Sequence, residues 1–271
     1  MSEWGKLRVA VLHPVLPDDA VPDKKRAIAE EHRALVAALL AHDVEILFLP
    51  IDPAEAYGPN VFARDPLHVV GNEAYCTRVN GRKLSELEAH KELFRQWSAT
   101  PLLDLNGKLV HGGDVLLLPQ KKTVIGEMFI QDNDDPYAEP VGDDALHFAQ
   151  HLSQRGWHTE FVLHTMDHVD CAVAPLPDGS IWVQPTNLSP KTERNIQKLL
   201  YPHPVHPIPS HKPLAPNMLW LDPGTVITSD ADTAAALTGK GYEAIHIPLH
   251  AIERMAGSVR CCVGVLVRDD V

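Results

Sequence analysis

Cysteine is scarce in this chain. Four occur in 271 residues, Cys76, Cys171, Cys261 and Cys262, and their spacing is not that of a disulfide framework, which points to a reducing, cytoplasmic setting. Positive charge is also short. Lys and Arg number 24 against 36 Asp and Glu, a net charge of −12. Nucleic acid and anionic membrane are therefore poor partners, whereas a small cation would be drawn in. Long apolar runs are missing too. None approaches the ~18–20 residues that span a bilayer, and the opening stretch from Met1 to Pro14 lacks the apolar core of a signal peptide. No glycine-rich loop follows a strand and opens a helix, so nucleotide binding has no support and no cofactor is expected.

What is present is the make-up of a globular protein with a sizeable core, 45% hydrophobic and 22% charged residues. No shift of composition divides it, and a single domain over residues 1–271 is expected. Strand-like and helix-like runs alternate, which places the chain in the α/β class. The stretch from Asp23 to Asp43 reads as an amphipathic helix with Ile28, Leu35, Leu39 and Leu40 on its apolar face. Strand pairs turn at Pro177-Asp178-Gly179 and at Asp222-Pro223-Gly224. Ser189 and Pro190 mark a helix start. Units of strand pair, helix and strand recur about five times at roughly fifty residues each. Residues 201–217 are rich in proline and read as an extended loop at the surface or over a site. The acidic run from Gln131 to Glu139 reads as a solvated loop, without the glycine and glutamate of a calcium loop.

Four segments hold residues of chemical interest: Arg64-Asp65-Pro66, His111-Gly112-Gly113-Asp114, His168-Val169-Asp170 and Arg260-Cys261. Each has an ordinary explanation. The run from Asn60 to Pro66 is strand-like, although Asp65 before its proline can also open a turn. The glycine pair can mark a bulge or a close backbone approach. On a strand, His168 and Asp170 would share a face and form a buried salt bridge. Cys261 can be a small core residue. A disulfide between Cys261 and Cys262 would be strained. His203, His206 and His211 lie in the proline-rich stretch, but with no carboxylate or cysteine among them they make a poor metal set.

The ordered set resembles the guanidino-group-modifying (amidinotransferase, or pentein) superfamily, which includes arginine deiminases, dimethylarginine dimethylaminohydrolases and glycine amidinotransferases. That family has an early Asp-Pro motif, an acid followed by Gly and Asp, then His-x-Asp, then a cysteine near the C-terminus. The resemblance covers nearly the whole chain and implies a five-bladed α/β propeller of ββαβ units around a substrate channel. It implies Cys261 as nucleophile, chosen over Cys262 because an arginine or histidine precedes the family's cysteine. It implies His168 as acid and base, and Asp65 and Asp170 as the carboxylates that hold a guanidinium. Arg64, Arg260, His111 and Asp114 complete the candidate substrate-binding set, with Asp114 bracing the local turn. His111 departs from the family, which carries an acid there; a neutral imidazole accepts only one hydrogen bond.

A thiolate would attack the guanidinium carbon and form a covalent S-alkylthiouronium. Water resolving it makes a hydrolase; an amine resolving it makes an amidinotransferase. The expected partner is a small cationic guanidine, arginine or a derivative, with no metal, nucleic acid or membrane. A non-catalytic binding protein of the same fold and a histidine-dependent metallohydrolase stay open, and so does a homodimer.

Overall fold

The computed structural model describes residues 3–16, 21–50, 61–71, 73–76, 84–97, 102–104, 110–128 and 143–269. The acidic run from Gln131 to Glu139 lies outside the described residues. Strand β1 (Leu7–Leu12) leads through helix α1 (Arg26–Ala41) to strand β2 (Glu45–Phe48), which runs parallel to it. Next, β3 (Leu67–Val70) and β4 (Glu73–Cys76) are antiparallel, and α2 (Leu84–Trp97) returns the chain to β5 (Leu102–Asp104), parallel to β4.

The plan then repeats with β6 (Val115–Leu118), β7 (Lys122–Met128), α3 (Asp143–Ser153) and β8 (His158–His164). It repeats with β9 (Val173–Pro175), β10 (Ile181–Val183), α4 (Pro190–Leu199) and β11 (Val205–Pro207). It repeats again with β12 (Leu219–Trp220), β13 (Thr225–Thr228), α5 (Ala231–Gly239) and β14 (Glu243–His246). After a short helix α6 (His250–Glu253), β15 (Gly264–Arg268) pairs antiparallel with β1 and completes the first sheet.

The described residues thus hold five three-stranded sheets, each of the order ββαβ, in agreement with the five units counted from the sequence. The reason is local. Antiparallel neighbours need only a tight turn, whereas a parallel neighbour needs a crossover, which a helix supplies. The turn of the fourth unit places Gly179 at φ +81°, a conformation that costs glycine least. Ser189 caps α4 by accepting from Thr192 N at 3.2 Å, and Asp230 caps α5 by accepting from Thr233 N at 2.9 Å.

Four expectations need correction. In α1 the buried face is Ala29, His32, Leu35, Val36 and Leu39, while Leu40 is 57% exposed. Leu40 stands one residue, about 100°, round the helix from Leu39. The stretch from Val61 to Pro66 is a turn rather than a strand, and β3 starts only after Pro66. His168 and Asp170 do not share a strand: Val169–Cys171 is a single 3-10 turn after an extended His168. The proline-rich stretch is not all loop, since β11 lies within it. Pro207 is tolerated there because β11 is an edge strand of its sheet.

One regularity positions the site. Every candidate residue lies in the segment that enters the first strand of an antiparallel pair: Arg64 and Asp65 before β3, His111 to Asp114 before β6, His168 to Asp170 before β9, Arg260 and Cys261 before β15. The equivalent segment before β12 ends at Asn217 and Met218. Cys171, Cys261 and Cys262 pack in one core cluster with Leu7, Val61, Leu219 and Val259.

Candidate active site

The five entering segments are joined in a closed cycle of hydrogen bonds. Arg64 N donates to Cys261 O at 3.1 Å, and Gly112 N to Asp65 O at 2.9 Å. Val169 N donates to Asp114 Oδ1 at 3.1 Å. Asn217 Nδ2 donates to Asp170 Oδ1 at 3.0 Å, and Arg260 N donates to Asn217 Oδ1 at 2.9 Å. Residues far apart in the chain therefore meet because each belongs to the same position of its unit. Asp114 braces a turn, as expected of it, but the turn is the one that carries His168. Gly113 makes the close approach: a Cβ there would lie 2.6 Å from His168 Cγ.

The site has two parts. In the first, Asp170 is fully buried between two arginines, its Oδ2 lying 3.2 Å from Arg64 Nε and 3.4 Å from Arg260 Nε. Arg260 also pairs with the buried Glu3, whose other carboxylate oxygen accepts from Leu117 N at 3.0 Å. Burial pushes Asp170 up to about 7, helped by the Cys261 sulfur and opposed by the two arginines and His168. For Glu3, burial is outweighed by Arg260 and Arg64, which hold it below the usual carboxylate range. Arg64 and Arg260 are thus engaged inside the protein.

In the second part, His168 Nε2 faces His111 Nδ1 at 3.0 Å and its Nδ1 lies 3.9 Å from Asp65 Oδ1. Burial opposes a charge on His168, but Asp114, Asp65 and a hydrogen bond with Cys261 push its pKa well above the ordinary value. Only one of two imidazole nitrogens that face each other can carry the proton. A hydrogen bond donated by His168 Nε2 would be accepted at His111 Nδ1.

Cys261 moves the other way. A hydrogen bond from Cys171 does most to lower its pKa; burial opposes this, and the hydrogen bond and charge of His168 add to it. Asn217 Nδ2 contributes a further contact to Cys261 Sγ at 3.2 Å. The two shifts run towards each other and so favour a thiolate–imidazolium pair over the neutral one. The neighbouring Cys262 is raised well above its ordinary value by burial and by the Cys261 charge, so it stays a thiol.

Among the described residues, two sets stand at metal-ligand spacing: His111, Asp114 and His168, and His168, Asp170 and Cys261. Both use His168, so an ion in either would remove the acid–base group. The histidines of the proline-rich stretch form no such set, and His203 Nδ1 instead meets Gly179 O at 3.1 Å.

Five segments that bring a thiolate, an imidazolium and carboxylates to one point can be set against known proteins. No family model matches the chain. The uncharacterized protein YkgA of Bacillus subtilis (strain 168) is 25% identical over 246 residues, covering 89% of this chain and 80% of YkgA. The structure of SxtG, an amidinotransferase from Microseira wollei in the saxitoxin biosynthetic pathway, matches with a TM-score of 0.76 and 16% identity over 100% of this chain and 97% of that one. Dimethylarginine dimethylaminohydrolase from Pseudomonas aeruginosa, solved with citrulline, matches with a TM-score of 0.73 and 18% identity over 96% of this chain and 100% of that one.

The fold is that of the pentein superfamily. The resemblance drawn from the sequence motifs and the likeness of the fold agree. Three participants at the centre of this pentein fold escaped the sequence motifs. Asn217 ends a proline-rich stretch, where asparagine is an ordinary turn residue. Cys171 follows Asp170 directly, but a lone cysteine reads as packing. Glu3 lies before β1, far in sequence from its partner Arg260. Only the repeat position of Asn217, two residues before a strand as Cys261 is three before another, carried a usable signal.

Proposed function

We propose that this protein is a cysteine-dependent hydrolase of a guanidine, arginine or an arginine derivative, acting as one catalytic domain over residues 1–271. In this reading the five units form a five-bladed propeller with their entering segments at the axis. The observation that carries the proposal is the meeting of His168, Asp170 and Cys261, whose ring nitrogen, carboxylate oxygen and sulfur lie within 4.8 Å of one another, and the opposed shifts of Cys261 and His168 support it.

Asp65 would grip the substrate's planar cation through charge-assisted hydrogen bonds, because Asp170 is already flanked by two arginines. Cys261 would attack the guanidinium carbon. His168 would give its proton to the departing nitrogen and leave an S-alkylthiouronium. The neutral His168 would next take a proton from water as it attacks, and the thiolate would depart from a ureido product. His111 would hold the His168 ring by accepting its Nε2 proton, the orienting task for which relatives carry an acid. Arg64 and Arg260 would act by fixing Asp170 rather than by meeting the substrate.

The test is incubation of the purified protein with arginine, N-methylated arginines, agmatine and guanidine. Ureido product would be assayed in solution and the covalent adduct by intact mass. The expected result is turnover of at least one member, with an adduct that maps to Cys261. A folded protein that forms neither product nor adduct with any of them refutes the proposal and favours a binding role. Amidino transfer is a second reading, favoured by the match to an amidinotransferase at a TM-score of 0.76. An added primary amine would then be converted to a guanidine in place of hydrolysis.

A further inference from the structure

Cys171 undergoes no step of the reaction above and acts there only through its hydrogen bond to Cys261, yet it is fully buried with its sulfur against that residue. Asn217 Nδ2 touches Cys261 Sγ at 3.2 Å and Cys171 Sγ at 3.5 Å, so both sulfurs sit around one amide nitrogen. The two come from different units, Cys171 from the 3-10 turn before β9 and Cys261 from the turn before β15. Both turns are outside the strand ladders, so a small side-chain rotation there breaks no sheet hydrogen bond. Cys262, although it adjoins Cys261, is a poorer partner, because a disulfide between chain neighbours is strained.

We propose that Cys171 and Cys261 are a site of reversible oxidative modification, closing an intramolecular disulfide when the protein meets a peroxide. The inference rests on Cys261 being the thiolate of the proposed function, not on which guanidine is cleaved. In the first step the Cys261 thiolate attacks one oxygen of hydrogen peroxide. The O–O bond breaks, Cys261 becomes a sulfenic acid, and hydroxide leaves. In the second step the Cys171 sulfur attacks the sulfenic sulfur. An S–S bond forms, the S–O bond breaks, and the thiol proton leaves with the oxygen as water. Peroxide is reduced by two electrons and the two cysteines are oxidised by two. With its sulfur bonded to Cys171, Cys261 cannot attack a substrate, and it is also protected from irreversible oxidation to sulfinic acid.

The experiment treats the full chain with increasing hydrogen peroxide, blocks remaining thiols under denaturing conditions, and reads intact and peptide masses without reduction. The expected product of the wild type is one crosslinked pair, Cys171 with Cys261, lost again on dithiothreitol. In Cys171→Ser, Cys261 is expected to gain two oxygens at peroxide doses where the wild type gains none. Cys262→Ala is expected to form the same crosslink as the wild type. The proposal is overturned if wild-type Cys261 reaches sulfinic acid at the same dose as in Cys171→Ser, or if the crosslink joins another pair. Wild-type peptide mapping alone decides this if the serine variant fails to fold. Crosslinking without turnover of any guanidine would sink the proposed function and leave this inference standing; turnover without the crosslink would do the reverse.

Discussion

Two clusters of charge share the centre of this molecule, and they are built differently. The inner one, Glu3–Arg260–Asp170–Arg64, consists of two acids and two guanidinium groups in buried ion pairs, with Asp170 Oδ2 at 3.2–3.4 Å from both arginines. The outer one, Cys261–His168–His111–Asp65, is made of titrating groups, joined by an imidazole–imidazole contact of 3.0 Å and a looser His168–Asp65 approach of 3.9 Å. The charges of the first set pair with one another, and it acts as a frame. The second sets a buried thiol and an imidazole side by side with their shifts running towards each other, the arrangement that the proposed reaction requires. Asn217 ties the two together, since its Nδ2 touches Asp170 and Cys261 at once.

The contrast can be broken most sharply at its reactive end. Cys261→Ala is expected to lower turnover of an accepted guanidine by about 10³-fold or more with little change in melting temperature, whereas Cys262→Ala retains activity. Steady-state rates beside thermal melts check this. Equal losses in both variants would erase the division between the two sulfurs.

The frame should answer in the opposite currency. Glu3→Gln removes the buried counter-charge of Arg260 and is expected to cost about 3–5 kcal/mol in chemical denaturation. Any loss of activity should follow the folded fraction. A fully stable but inactive Glu3→Gln protein would move Glu3 into the reactive cluster.

Gly113→Ala tests the fit between segments. The added methyl would meet His168 Cγ at 2.6 Å, so the ring must move. The rate is expected to fall on the order of 10²-fold, with a stability loss of about 1–3 kcal/mol. An unchanged pH–rate profile would show that His168 did not shift.

A dependence on pH rests on two buried histidines, His32 away from both clusters and His68 beside one of them. Burial, with His13 and Arg33 nearby, holds His32 down to about 4, and burial beside Arg64 holds His68 to about 3. Unfolded histidines take up a proton near pH 6.5, so the unfolded chain binds more protons below that pH and folding stability falls as the pH drops from 6.5 towards 4. His32 alone accounts for a loss of order 3 kcal/mol. Asp170, raised to about 7, works against this trend over the same range. The difference between wild type and His32→Leu in denaturation curves at pH 7 and pH 4.5 isolates the histidine, and a constant difference would refute it.

The reactive cluster was largely legible in the sequence, and the frame was not. Cysteine, histidine and aspartate announce chemistry by type; each had an ordinary explanation alone, and the ordered set singled out Cys261, His168 and Asp65. What could not be read was which charges satisfy each other. Arg64, Asp170 and Arg260 looked like three groups facing a substrate because their mutual pairing depends on segments about a hundred residues apart meeting, which no local pattern encodes. The units were visible through alternation of strand and helix. The turns that carry the site were misread as strands at Arg64 and at His168, because short buried runs look alike in either conformation.

The pairing of β15 with β1 has a bearing on synthesis. Leu7–Leu12 waits for Gly264–Arg268, and the cysteine that precedes the latter strand meets its histidine only when that strand docks. A nascent polypeptide on the ribosome therefore carries an ordinary thiol of modest nucleophilicity. In the reading proposed above, its reactivity would depend on the two ends of the fold being laced together.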